Sequence, residues 1–180
     1  MRTYTNSHFF DPAKPDRRSV RRTDIAVSLS RIPRYLGHTL RPMYPYSVAE
    51  HSLRMMDMAA PDVKPYALLH DAAEAYLGDM TTPVKTALAE RAPCAARFFE
   101  DLEERWLDAI HDFFGLRYRE DHREEVKRLD GIMLVTEMRD LTRAPMDHPA
   151  LVGLTPAGEK IVPWPPHLAA SRFYAEITKL

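Results

Sequence analysis

The stretch Tyr46-Ser-Val-Ala-Glu-His-Ser-Leu-Arg-Met-Met-Asp-Met-Ala-Ala-Pro-Asp-Val-Lys-Pro-Tyr-Ala-Leu-Leu-His-Asp-Ala-Ala-Glu-Ala-Tyr-Leu-Gly-Asp-Met-Thr-Thr-Pro-Val-Lys85 decides how the rest of the chain is read. Ser47 and Glu50 have the spacing of a capping box, so a helix is expected from Ser47 until Pro61 stops it. Val48, His51, Met55 and Met58 recur at helical intervals, which turns the imidazole of His51 toward the apolar interior. A second helix is expected from about Asp62, with Pro65 tolerated in its first turn and Gly78 as its stop. On that helix His70 and Glu74 are four apart and Asp71 and Glu74 three apart, so the three converge on one point. Asp79 follows the glycine. Burying such groups among Leu, Ala and Tyr is costly unless they are paired or hold a cation.

Working outward, residues 1–23 hold few periodic apolar positions and a basic cluster of Arg17, Arg18, Arg21 and Arg22, and are read as an arm leading into a helical domain over residues 24–180. Asp24 is expected to cap a helix striped by Ile25, Leu29 and Ile32 and broken by Pro33. The loop that follows carries Arg34, Tyr35, His38, Thr39 and Arg41, groups that bind phosphate or stack on bases, and loops on a rigid scaffold often carry function.

Beyond the central stretch, Thr82-Pro83 is read as the start of a short helix ended by Pro93. A long amphipathic helix follows with Phe99, Leu102, Trp106, Ile110 and Phe113 inward and Gly115 as its stop. That helix contains a second His-Asp pair, His111-Asp112, and His111 is read as a solvated surface residue. The next helix, from about Asp121, faces inward through Val126, Leu129 and Met133, with Leu134 half a turn off. Asp130 lies in line with that stripe, and a carboxylate there needs a partner. Glu137 and Asp140 compete with it, and Gly131 would permit close approach of another segment. Residues 143–163 read as a surface excursion or an oligomer contact, before a closing helix within residues 169–180.

The order of a lone His51, a His70-Asp71 pair in a helix and a distant Asp130 resembles the HD-domain metal-dependent phosphohydrolases. The wording SVAEHS followed by LLHDAAEAYLGDMTTPVK is similar to the branch that contains bacterial 5'-deoxynucleotidases. The resemblance implies an all-α, single-domain HD-type helical bundle with a metal site between helices. It implies His51, His70, Asp71 and Asp130 as metal ligands, and Arg34-Tyr35 as contacts to phosphate and sugar. Asp79 would then read the sugar hydroxyl and favour deoxyribose. Glu74 has the spacing to orient or deprotonate a nucleophile, and the resemblance gives it the same role. Lys85 is either a second neutraliser of phosphoryl charge or a surface lysine.

Two imidazoles and two carboxylates without thiolate suit Mn, Co, Mg, Fe or Zn. The expected substrate is a deoxynucleoside 5'-monophosphate, with a deoxynucleoside triphosphate releasing triphosphate as the alternative. A non-catalytic HD module that binds or assembles is the reading from another class. The chain has 25 Lys plus Arg against 26 Asp plus Glu, so no global field favours a nucleic-acid polymer or an anionic membrane. Nowhere is there an apolar run of about 18 residues, the length a membrane span needs. Its single cysteine, Cys94, rules out an intrachain disulfide, fits a reducing cytoplasm and reads as a small core residue. By analogy with similar proteins, a homodimer or larger homo-oligomer is expected.

Overall fold

The helix that carries His51 is buried on nearly every side. In the computed structural model, which describes residues 3–4, 8–40, 44–143 and 153–180, this helix, α2, spans Val48–Met58. Ser47 caps it, its hydroxyl accepting the amide of Glu50 at 3.2 Å. The reciprocal half of the capping box is absent. The Glu50 carboxylate accepts instead from Arg54 at 2.9 Å and from the backbone amide of Trp164 at 2.8 Å.

Around α2 lie α1 (Arg22–Leu29), α3 (Lys64–Leu69), α4 (Glu74–Leu77), α5 (Thr82–Arg91), α6 (Pro93–Phe114), α7 (Glu120–Leu141) and α8 (Pro166–Ile177). A two-residue antiparallel ribbon, β1 (Thr3–Tyr4) with β2 (Phe9–Phe10), precedes them. The architecture is an all-α single-domain bundle. Its core has two lobes, with α2 and α3 supplying side chains to both. Val48, Leu53, Leu68 and Leu69 join the lobe around Trp106, while Met55, Tyr66 and Ala67 join the lobe around Leu129 and Met133. Among the described residues no helix is long and apolar enough to cross a membrane.

Several expectations are corrected by how neighbouring segments pack. The helix expected from Asp62 to Gly78 is two short helices, because amides 72, 74, 75 and 76 bond three residues back, to carbonyls 69, 71, 72 and 73. That tighter winding interrupts the α-helix at His70 to Ala73. The short helix does stop just before Pro93, at Arg91, and Pro93 also opens α6, where its missing amide is no loss. Asp24 is not a cap. Helix α1 starts two residues earlier, and Asp24 lies buried in its first turn with His8 Nδ1 3.6 Å away. Cys94 is exposed rather than in the core, since the first turns of α6 bury only Ala96.

His111 is not a surface residue. It is buried, with its ring centroid 5.0 Å from that of Tyr118 and 5.8 Å from that of Tyr66. Burial, against a small opposing effect of Asp108, lowers its pKa to about 4. Its neighbour Asp112 points outward to Arg17 at 3.2 Å. Gly115 does end α6, in the left-handed conformation at φ 67°.

The lead-in is tied down by aromatics. Phe10 is buried and meets the rings of Tyr76 and Trp106 edge-on at 5.4 and 5.8 Å. Tyr76 and Trp106 stack at 4.1 Å, and the indole N–H donates to the carbonyl of Pro12 at 2.9 Å. After residues 144–152 of the expected excursion, which like Arg41 lie outside the described residues, the chain returns along the back of α2 and α7. Amides 157, 161 and 164 each donate at 2.8 Å, to Thr136 Oγ1, Asp140 Oδ2 and Glu50 Oε2. A Cβ on Gly131 would come within 3.1 Å of Leu154, so this glycine does admit a close approach.

Two stability predictions follow from this packing. Phe10→Ala should cost about 3–5 kcal/mol in chemical denaturation, the usual range for emptying a buried aromatic site; a loss under 1 kcal/mol would mean the ribbon is ornamental. His111 binds its proton only near pH 4 when folded but near 6.5 when unfolded, so the unfolded state holds more protons between these values. Stability should therefore fall by a few kcal/mol as pH drops through that window, and His111→Gln should flatten that part of the pH profile.

Candidate metal centre and cleft

Elements far apart in sequence meet at His51. Its Nε2 lies 3.2 Å from Nε2 of His70, 3.3 Å from Oδ1 of Asp130 and 3.8 Å from Oδ2 of Asp71. The same Asp71 oxygen is 3.1 Å from His70 Nε2. Helix α2 supplies His51, the end of α3 supplies His70, the tight winding after it supplies Asp71, and α7 supplies Asp130. Burial is graded toward the cleft, since the side chain of His51 is 0% exposed, His70 10%, Asp71 22% and Asp130 47%.

The tautomers follow from the partners. His70 Nδ1 lies 2.9 Å from the carbonyl of Ala67, which can only accept, so Nδ1 carries the hydrogen and Nε2 presents a lone pair. His51 Nδ1 lies 2.6 Å from a carboxylate oxygen of Glu137, which likewise places the hydrogen on Nδ1. Two imidazole lone pairs thus face each other beside two carboxylates. Such an arrangement repels itself unless a cation or proton sits among the four groups, and separations of 3.1–3.8 Å fit donors sharing one ion. The cluster His51, His70 and Asp130 can hold a metal ion, and the donor chemistry of Asp71 fits the same position.

The local field has the same sign. Burial and Arg34 oppose a charged imidazole at His51, yet Glu137 and the bonds to Asp130 and Glu137 raise its pKa to about 9. For Asp71, burial works upward, but His70, His51 and Arg34 hold its carboxyl well below the usual carboxylate range.

Asp71 and Asp130 open onto a cleft of about 1010 Å³, and Arg34, Tyr35, His38, Glu74, Asp79 and Lys85, singled out from the sequence, line it, whereas Thr39 does not. Glu74 is the first residue of α4, and one of its oxygens is buried without a hydrogen-bond partner among the described residues. Burial first, then the charges of Asp71 and Asp79, push its carboxyl upward. Asp79, set apart from α4 by Gly78 at φ 82°, is also raised, chiefly by burial.

The cationic side chains are less free than expected. Arg34 bonds Glu137 through Nε at 3.1 Å and Asp71 through Nη1 at 3.4 Å. Lys85 is held by both oxygens of Glu103 at 2.8 Å. His38 is exposed at the cleft. Tyr35 and Leu36 adopt φ of 54° and 52°, a left-handed backbone that costs a non-glycine residue about 1–3 kcal/mol.

Glu137 was foreseen only as a competitor for the place of Asp130. In the fold it stands behind the cluster, two turns along the same face of α7, and is fully buried. The second competitor, Asp140, is taken up by Arg139 at 2.8 Å and by the amide of Ile161.

If these groups share an ion, Mn²⁺ at 100-fold over its dissociation constant should stabilise the folded protein by about 2.7 kcal/mol. His70→Ala or Asp71→Asn should abolish the gain in melting temperature, and Asp112→Asn should retain it. The reverse pattern would assign the ion to the other His-Asp pair.

No family model matches the chain. It is 34% identical over 141 residues to the uncharacterized protein YfdR of Escherichia coli strain K12, an alignment covering 78% of this chain and 71% of that protein. It is also 41% identical over 100 residues to an uncharacterized protein of Rhodobacter capsulatus, covering 52% of this chain and 47% of that one. With a third of the residues shared across most of both chains, the protein belongs to the same family as YfdR.

Proposed function

We propose that the protein is an HD-type metal-dependent phosphohydrolase that releases phosphate from a deoxynucleoside 5'-monophosphate. One observation carries the reading: two imidazoles whose Nδ1 atoms are both held by oxygen acceptors bring their Nε2 atoms beside two aspartates, and those aspartates line a cleft that also holds Glu74, one of whose carboxyl oxygens is buried without a hydrogen-bond partner among the described residues. A divalent cation bound there would supply Lewis acidity toward a phosphoryl oxygen and a water of lowered pKa. Everything else in the reaction falls to the chain itself.

Glu74 is the group that takes a proton from the attacking water. Its raised pKa suits transfer near neutral pH better than an ordinary carboxylate would. Arg34 keeps positive charge at the cleft wall, where negative charge develops on the transferred group. Because Nε and Nη1 of its guanidinium are already bonded to Glu137 and Asp71, its direction is fixed in advance, and preorganisation of this kind strengthens electrostatic catalysis. Tyr35 and His38 would flank sugar and base, and Asp79 would accept from a sugar hydroxyl. Lys85, committed to Glu103, contributes less to phosphate than Arg34 does. The two aspartates of the candidate metal site and the residues singled out for nucleotide thus share one opening, and this supports a small substrate over an extended polymer.

Release of triphosphate from deoxynucleoside triphosphates is the second reading, because a cleft of about 1010 Å³ is large for a monophosphate. Incubating the Mn²⁺-loaded protein with mono-, di- and triphosphates of each deoxynucleoside, and identifying orthophosphate, pyrophosphate or triphosphate, separates the two. Glu74→Ala should retain Mn²⁺ and lose about 10²–10⁴-fold in turnover, the usual contribution of a general base. Formation of none of the three products with Mn²⁺, Co²⁺ or Mg²⁺ would defeat both readings and favour a binding module.

A further inference from the structure

We infer that Glu137 is a positioning residue whose single carboxylate ties the cation site to the phosphate-binding turn. Its Oε1 holds Nδ1–H of His51 at 2.6 Å, while its Oε2 accepts from the Tyr35 hydroxyl at 2.9 Å and from Arg34 Nε at 3.1 Å. The inference rests on the metal reading above and extends it to a residue outside the ligand set.

Glu137 is 0% exposed and does not line the cleft, so it acts on cation and nucleotide only through the three side chains it holds. Toward His51 it fixes the tautomer. A neutral imidazole has one N–H, and an anionic acceptor at Nδ1 keeps the hydrogen there and leaves Nε2 free to ligate. Toward the turn it supplies an anchor. Tyr35 and Leu36 sit in a left-handed backbone, which persists only where the surroundings over-determine it, and the Tyr35 hydroxyl bond reaches from that turn to the fixed helix α7. Arg34 is aimed by the second oxygen's other bond. Weakening Glu137 should therefore disturb cation and phosphate together, whereas weakening Tyr35 should disturb phosphate alone.

The test is calorimetric titration with Mn²⁺ and then with deoxyadenosine monophosphate, on the wild type, Glu137→Gln and Tyr35→Phe. Glu137→Gln should bind Mn²⁺ about 10–100-fold more weakly, the usual loss when the partner of a ligating histidine is removed. Tyr35→Phe should hold Mn²⁺ as the wild type does and bind the nucleotide several-fold more weakly. A folded Glu137→Gln protein with wild-type Mn²⁺ affinity would overturn the assignment, because a merely structural glutamate alters stability and not ligation. Should that variant fail to fold, nitrogen-15 NMR of the wild type loaded with Zn²⁺ decides. His51 is expected as the Nδ1–H tautomer, and an Nε2–H signal would overturn the assignment. Weakened Mn²⁺ binding in Glu137→Gln, with no nucleotide hydrolysed by the wild type, would uphold Glu137 and defeat only the substrate reading. Absence of Mn²⁺ uptake by the wild type would defeat both.

Discussion

A histidine with no solvent exposure, bonded at one nitrogen to a carboxylate with none either, is the constraint around which this bundle is built. Neither group is tolerated alone in such a place, because an unpaired charge or a lone polar atom in a packed interior costs several kcal/mol. Together they fix the rotation of α2 against α7. Only one register of the two helices brings His51 to Glu137 and, two turns back along α7, to Asp130.

The cost of those charges is met in pairs. On α2, Glu50 precedes His51 directly and is also fully buried, and Arg54 one turn later satisfies it. On α7, Glu137 is satisfied by Arg34 from the turn between α1 and α2. Each buried glutamate thus has its own guanidinium, and the bidentate reach of arginine makes it the residue suited to such places. Substituting either arginine with a neutral residue would leave a carboxylate inside the protein without its guanidinium, and for Glu137 that carboxylate is the one bonded to the imidazole, which links the packing of the bundle to the electrostatics of its cleft.

Much of this was legible from periodicity and caps. Ser47 placed the start of α2 within a residue, and the intervals from Val48 to Met58 turned His51 inward correctly. Asp130 stood out because a carboxylate in line with Val126 and Met133 demands a partner. What stayed hidden depended on the neighbours of a helix rather than on the helix itself. His111 lies off the apolar stripe of α6, and it is the rings of Tyr118 and Tyr66, brought to that flank from other segments, that cover it; no pattern within α6 announces this. The tight winding from His70 to Ala73 is likewise silent, since Ala, Asp and Glu suit either kind of turn. Glu137 carried a signal, its spacing of seven from Asp130, but one sequence does not distinguish a ligand from the group that steadies a ligand. The left-handed backbone at Tyr35 and Leu36 runs against local preference, and local rules are expected to fail in this way beside functional groups.

Residues 153–165, the irregular stretch that leads into α8, have a consequence for how the chain can be cut. Three of their amides clasp α7 and α2, and one of these ends on the buried carboxylate of Glu50. A fragment finishing at Leu141 would keep all the residues singled out for chemistry, yet it would strip Glu50 of a donor and remove Phe173 and Ile177, which α8 contributes to the larger lobe. Residues 153–180 are thus a buckle rather than a tail, and the smallest autonomous unit extends through α8.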